Sequence, residues 1–575
     1  MLLGRMRRSS RAVILALTLG VLGLVVYGAG SAWAAVADLR EARELLVQAQ
    51  DQVHDLAFED ARRTLRLARG ELASATRRLG VLPLRVAARL PYLGRSVRAA
   101  DDLTAAASAA ADGATIALRA ADLLPAGERF SMKDGRLPAV DWAEVAALST
   151  RAADAFDRAE RFARRAPSRF VPGVIADARA RLLDELDDAT ITARRLAAGA
   201  SILPSMLGEQ GATRHLIVVQ NGAEARATGG AIEAVMLLEA RARGLDLVRS
   251  DPDELALGTP RDRDRAHRLN LEPDFPAVAE LIARTYRREV GIRPDTVIAT
   301  DSDGLAAILR IVGGVTVDGH RLTGENLVTF LSRDIFVHYP TEEGQGIFLA
   351  RTSAAMWGRL TRGDFEVRDM IAQLGSAARH KHFLLWSRDP EGQRAFARLG
   401  VSGSMPRAPR SGAVLAVVGN NAGLAELDLS ARRAWSYDAA LDEEGRAHER
   451  LSVTLRNDAR RRDIPPAVLR KQPTGVLIRD ESITSGGIRE RVRLQVPPGE
   501  RRTLHAEGTF DITPGEFRLR VFRQPGLHFD QVRIRIVLPD GARILEASPA
   551  LQLRGGTLTW TGRLERDLEL LVKYR

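Results

Sequence analysis

The segment HLIVVQNGAEARATGGAIEAVMLLEA, residues 215–240, sets two apolar runs on either side of a polar decapeptide. LIVVQ (216–220) and AIEAVMLLEA (231–240) read as strands. Between them NGAEARATGG carries Arg226, Thr228 and the pair Gly229-Gly230. Two readings compete. Glycine supplies backbone conformations that other residues avoid, so the stretch can be a tight turn. Backbone amides beside a guanidinium can also cradle an anionic ligand.

Outward from this stretch, short β-rich runs alternate with helical ones. FPAVAELIARTYRREV (275–290), GLAAILRIV (304–312) and LTGENLVTFLSRDI (322–335) have helical spacing, and PDTVIATD (294–301) and GVTVDG (314–319) read as strands. The stretch 346–400 reads as helical. Such alternation indicates a layered α/β domain over 206–405. Beyond about 410 the chain is strand-rich. RVRLQV (491–496) and VRIRIV (532–537) alternate apolar residues with arginine, the period of a half-exposed strand. A β-sandwich region over 406–575 is expected, with one or two modules. On the other side, 38–205 shows apolar residues at three- and four-residue spacing, broken near Pro83, Pro91, Pro167 and Pro172. It reads as a helical bundle or stalk, with a sensor ectodomain as the sharper alternative.

The first residues address location. Residues 1–11 form a basic tail with Arg5, Arg7, Arg8 and Arg11, and no charge follows until Asp38. The uncharged segment 12–37 would reach about 39 Å as a helix, beyond the roughly 30 Å of a bilayer's hydrocarbon. It reads as a single transmembrane anchor, with the basic tail cytoplasmic and the bulk extracytoplasmic. Ala32-Trp33-Ala34 offers a cleavage site, so a removed signal peptide is the competing reading.

The chain's 84 basic residues against 73 acidic ones give a net charge of +11. Only four of the basic residues are lysine, and the arginines are interspersed with acids along the chain. No run of like charge and no nucleic-acid motif appears, so nucleic acid is rejected as a partner. Cysteine is absent, which excludes thiol chemistry, disulfides and thiolate metal sites.

Candidate site residues lie between 221 and 351. After Arg226 and Thr228 comes GTPRDRDRAHRLN (258–270), with Arg261, Asp262, Arg268 and Asn270; Arg333 and Arg351 follow. Several guanidiniums near a strand-end crevice suit phosphate, and Mg²⁺ held by a carboxylate such as Asp262 or Asp301 would fit a pyrophosphate. The bland reading of RDRDR is a self-neutralising solvated loop. Asp301 and Asp303 in TDSDG read as helix-capping residues, His380 and His382 in RHKHF as surface residues, and Trp386 as core.

NGAEARATGG, LNLEPDFPAVAELI, PDTVIATDSDGLAAILRIVGGVTVDG, LTGENL, HFLLWSRDPEGQ and GNNAGLAELDL, in this order, resemble the domain of unknown function family 4012. That family comprises membrane-anchored bacterial envelope proteins with a helical N-terminal region, and the resemblance spans about 205–520. The middle domain is also distantly similar to the LytR-CpsA-Psr phosphotransferases, which attach polyprenyl-pyrophosphate-linked glycopolymers to cell wall with arginines, an aspartate and Mg²⁺. Their Pro-Arg-Asp stands here as Pro260-Arg261-Asp262, their Lys-Ile-Asn resembles Arg268-Leu269-Asn270, and their Gly-Gly-Val is Gly313-Gly314-Val315. Two family carboxylates are missing: Thr228 and Gly229 occupy the region beside Arg226, and Ile311-Val312 precedes the Gly-Gly pair. The resemblance therefore implies an anionic ligand, such as a pyrophosphate lipid or glycopolymer, bound during envelope assembly. Catalytic phosphotransfer is the alternative.

Overall fold

The computed structural model describes residues 37–575, apart from 39–40, 43, 47, 50, 53–56, 82–83, 85–87, 89–92, 125–128, 132–135, 169, 252–268 and 424. The anchor expected at 12–37 lies outside the described residues except for its last position. Among the described residues, no helix is long and apolar enough to cross a membrane.

The chain divides into two compact units. The first is helical: α1 (Phe58–Leu79), α2 (Leu93–Asp122), α3 (Trp142–Arg165) and α4 (Gly173–Met206). In α1, Ala61, Leu65, Ala68, Leu72, Ala75 and Leu79 form one buried stripe at helical spacing. Asp141 caps α3 by accepting the Glu144 amide at 3.0 Å. Ala99, Ala106 and Ala110 of α2 share a core with Ala159 and Ala163 of α3 and with Ile175, Leu182 and Leu186 of α4. Alanine seams let helices approach closely but bury little apolar area per residue.

The second unit holds 207–575 with the short segment 131–137. Its first layer is a five-stranded sheet built from β1 (Thr213–Arg226), β2 (Gly229–Arg241), β3 (Gly244–Asp251), β4 (Thr296–Asp301) and β5 (Phe383–Ser387). The order is β3-β2-β1-β4-β5. β1, β2 and β3 form an antiparallel meander, β4 runs parallel to β1, and β5 runs antiparallel to β4. Helix α5 (Phe275–Val290) covers one face, with Phe275, Val278, Ile282 and Tyr286 packed on Leu216, Val218, Val297 and Trp386. Trp386 is core, as its apolar setting suggests. Helix α6 (Ser302–Val312) follows β4 without a loop.

Two helical expectations need correction. The stretch 346–400 is not continuous helix: α7 (Glu342–Arg362) and α8 (Val367–Arg379) are followed by β5 and then α9 (Pro390–Leu399). FLLWS pairs along β4, which buries Leu384 and Trp386 on the α5 side; tertiary pairing overrides the local pattern. LTGENLVTFLSRDI breaks into single turns around a π-helical turn, Phe330–Asp334.

Beyond residue 410 the strands are β6 (Gly412–Asn421), β7 (Ala431–Leu441), β8 (Arg446–Asn457), β9 (Leu477–Thr484), β10 (Arg489–Val496), β11 (Arg501–Asp511), β12 (Glu516–Phe522), β13 (Gln531–Val537), β14 (Ile544–Ala547), β15 (Gln552–Arg554), β16 (Thr557–Arg563) and β17 (Leu568–Tyr574). They make two six-stranded sheets, β10-β9-β6-β12-β17-β14 and β11-β8-β7-β13-β16-β15. Both inner faces supply one core, so the region is a single sandwich. In β13, Val532, Ile534 and Ile536 point inward and Arg533 and Arg535 outward, the period-two pattern read from the sequence.

Candidate functional site

The β1–β4 register sets Gln220 beside Asp301, so β1 continues past the end of β4 by the six residues Asn221 to Arg226. A two-residue turn, Ala227-Thr228, then leads into β2, with Arg226 paired to Gly229. Gly229 has φ +134°, a region that side chains avoid. A Cβ on Gly230 would stand 1.9 Å from the Asn221 carbonyl oxygen. The glycine pair is thus a requirement of the turn itself.

The arginine is spent inside the protein. Arg226 is 1% exposed. Its guanidinium pairs with Glu224 and donates to the carbonyls of Asn421, at 2.9 Å, and Ala225, at 3.1 Å. Around it the hairpin docks onto the sandwich. The Ala225 amide donates to Asp428 at 3.1 Å and the Ala227 amide to Asn420 Oδ1 at 2.8 Å. Gln524 Nε2 reaches the Arg226 carbonyl at 3.0 Å. The ion pairs continue inward: Arg479 Nη1 lies 2.6 Å from Asp428, and Arg433 bridges Glu481 at 3.0 Å and Asp530 at 2.9 Å. Burial disfavours a charged Arg433, but Asp530 and Glu481 more than compensate and raise its pKa above the usual value. A small cavity of about 50 Å³ lies here, lined by Gly222, Asp428, Arg433, Arg479, His528 and Asp530 among others. NGAEARATGG and GNNAGLAELD, distant in sequence, are therefore two halves of one interface.

The other anticipated residues scatter by environment. Thr228 is buried, with Gln220 Nε2 3.5 Å from its hydroxyl. Asn270 is buried and donates to the Gly230 carbonyl at 2.7 Å, bracing the turn. Arg333 is exposed on the π-helical turn. Arg351, on α7, is exposed and pairs with Asp318 at 2.9 Å. Arg261, Asp262 and Arg268 lie outside the described residues. Of the set, the structure joins Arg226, Thr228 and Asn270 at one buried turn, and places Arg333 and Arg351 at the surface.

A second cluster forms at the carboxyl end of β4, where α/β sheets present ligands. Asp301 is 2% exposed. Its Oδ1 accepts the Gly304 amide at 2.9 Å, capping α6 as the DSDG pattern suggests, and its Oδ2 lies 2.8 Å from His382 Nδ1. His382 is no surface residue: its side chain is 11% exposed. The preceding Lys381 adopts φ +57° and buries its ammonium against Asp567, at 2.7 Å, and the Arg523 carbonyl, at 2.9 Å. His380 stacks edge-on against Phe529 at 5.3 Å. Sequence reading missed this segment because its partners lie 81 or more residues away. His382, between Lys381 and Phe383, gives no local signal of burial.

The electrostatics follow from burial and pairing. Burial alone would lower the His382 pKa, but the Asp301 carboxylate outweighs it by charge and hydrogen bond, and the net shift is upward. Burial, then the neighbouring Asp301, raises Asp303. Burial pulls Lys381 down to about 8 and Arg523 down to about 10. Donor atoms of Asp301, Asp303 and His382 all lie within 4.8 Å of one another.

No curated protein and no solved structure matches the chain. Residues 210–336, which run from β1 through the turn, α5, β4 and α6 to the π-helical turn, match the family model described as Protein of unknown function (DUF4012), and this segment carries that family's domain.

Proposed function

We propose that the chain is a membrane-anchored, extracytoplasmic bacterial envelope protein whose α/β domain binds an anionic ligand, a pyrophosphate lipid or glycopolymer, during envelope assembly. It binds this ligand without turning it over. One observation carries the choice of binding over catalysis: Arg226, the arginine that a LytR-CpsA-Psr-like reaction would aim at pyrophosphate, is buried and bonded to Glu224 and Asn421. The carboxylates that such a reaction needs near it are replaced by Thr228-Gly229 and Ile311-Val312. Contact with the ligand falls instead to the exposed Arg333 and Arg351, together with Arg261 and Arg268.

The reading is tested with vesicles containing a glycan-linked polyprenyl pyrophosphate. The full chain binds them equally with Mg²⁺ or chelator, and Arg333→Ala with Arg351→Ala weakens binding about tenfold or more, the loss expected for charge-assisted contacts. Metal-dependent release of the lipid pyrophosphate's glycan would instead establish the phosphotransferase reading. Absence of binding would reject both.

A further inference from the structure

We infer that Asp301, Asp303 and His382 form a binding site for a divalent transition-metal ion of the Mn²⁺ or Zn²⁺ class at the carboxyl end of β4. This goes beyond the anionic-ligand reading and does not depend on it.

The three side chains come from two places in the chain that only the fold brings together. Asp301 ends β4 and Asp303 lies in the first turn of α6, while His382 enters from the opposite direction immediately before β5. Their donor atoms lie within 4.8 Å of one another. Ligands on opposite sides of an ion at about 2.1 Å each stand about 4.2 Å apart, so a small contraction closes the site. Asp301 spends Oδ1 on the helix cap, while its Oδ2 and His382 Nδ1 share a hydrogen bond at 2.8 Å, whose proton leaves when an ion binds. Two carboxylate oxygens with one imidazole nitrogen suit borderline divalent ions; an all-oxygen set would suit Mg²⁺ or Ca²⁺.

Two buried polar atoms beside this cluster have no hydrogen-bond partner. One is Thr300 Oγ1, on a residue 3% exposed. A Cβ on Gly304 would stand 2.1 Å from that hydroxyl and 2.8 Å from the His382 carbonyl oxygen, so hydroxyl, helix start and residue 382 meet at one point. The other is Nε of Arg523, a residue 2% exposed. Its two Nη atoms are bonded to the His380 and Gly526 carbonyls, at 2.5 and 3.5 Å. Buried orphan groups of this kind ask for a ligand, and the outer coordination positions of an ion supply acceptors. Arg523 and the amino end of α6 oppose a cation, so the site binds more weakly than a closed structural one.

The test uses the whole chain stripped with chelator and Mn²⁺ alone as probe. One ion binds per chain, with half-saturation below about 0.1 mM, the weak end for built divalent sites. Pulsed electron paramagnetic resonance of the loaded wild type shows coupling to one imidazole nitrogen, and Zn²⁺ displaces the signal. Asp303→Asn and His382→Gln each weaken binding about tenfold or more. Glu391→Gln, an exposed carboxylate elsewhere, leaves binding unchanged. Should a substituted chain fail to fold, the nitrogen coupling in the wild type decides. No saturable binding, binding without that coupling, or binding that survives both substitutions overturns the assignment. Vesicle binding takes no part in any arm, so a failure here leaves the ligand reading of the previous section standing.

Discussion

At the scale of single residues, Arg226 shows how a charged side chain can be structural. It sits in a site closed to water, and its partners Glu224 and Asn421 come from the hairpin itself and from β6. Truncating one member of a buried ion pair leaves the other charge stranded. Arg226→Ala should therefore lower unfolding free energy by about 3–5 kcal/mol, read by denaturant titration. Adding Glu224→Gln to it should recover part of that loss, because the stranded carboxylate is gone. An Arg226→Ala chain as stable as wild type would mean that the pair is open to solvent. The sequence made this residue visible for a different reason. An arginine beside two glycines is equally suited to a cradle and to a turn, and only the 1.9 Å approach at Gly230 and the buried guanidinium separate them. Asp301 was more legible, since a cap announces itself within four residues. His382 was not, because its meaning lies in a carboxylate 81 residues away.

At the scale of elements, the β1–β2 hairpin carries a titrating group of its own. Glu233 on β2 is half-buried and accepts from Asn221 Nδ2 at 2.6 Å. Burial raises its pKa to about 8; the Asn221 hydrogen bond and Lys471 oppose the shift, while Glu426 and Glu224 add to it. A carboxyl whose folded pKa lies above its unfolded value stabilises fully below the unfolded pKa, near 4.5, and loses that contribution as pH rises toward about 8. Stability should therefore fall across this window, with a slope of at most about 1.4 kcal/mol per pH unit, discounted for partial exposure. Glu233→Gln should flatten the slope in pH-dependent thermal melts, and an unchanged slope would assign it to other groups. The two apolar runs that flank Asn221–Gly230 were readable from sequence as strands because such runs are local. The strand β5 was not, since FLLWS is short and apolar, and a run of that kind does not declare its type until it is paired.

At the scale of the molecule, the texture change near 410 marks where the α/β layer gives way to the sandwich, yet 207–575 pack as one compact unit. Beside a small apolar cluster of Ala227, Ala416, Val418 and Phe522, the joining bonds are polar: Ala225 to Asp428, Ala227 to Asn420, Gln524 to Arg226, and Lys381 to Asp567. Interfaces of this kind have no hydrophobic periodicity to betray them, which is why composition suggests two separate bodies at that point. Calorimetry on a chain beginning at Leu207 should show one cooperative transition. Asn420→Ala together with Asp428→Ala should split it into two. Two transitions in the unsubstituted chain would contradict the coupling.

The span of those contacts also sets a clock. Arg226 and Gln524 are 298 residues apart, and Arg226 and Asn421 are 195 apart. At ribosomal speeds of about 5–20 residues per second, the hairpin emerges roughly 15–60 s before Gln524 exists to receive it. Throughout that interval an arginine and a glutamate destined for burial remain hydrated, and two long apolar strands wait without the sheet that will cover their outer end. The docking step of the hairpin therefore comes late in synthesis.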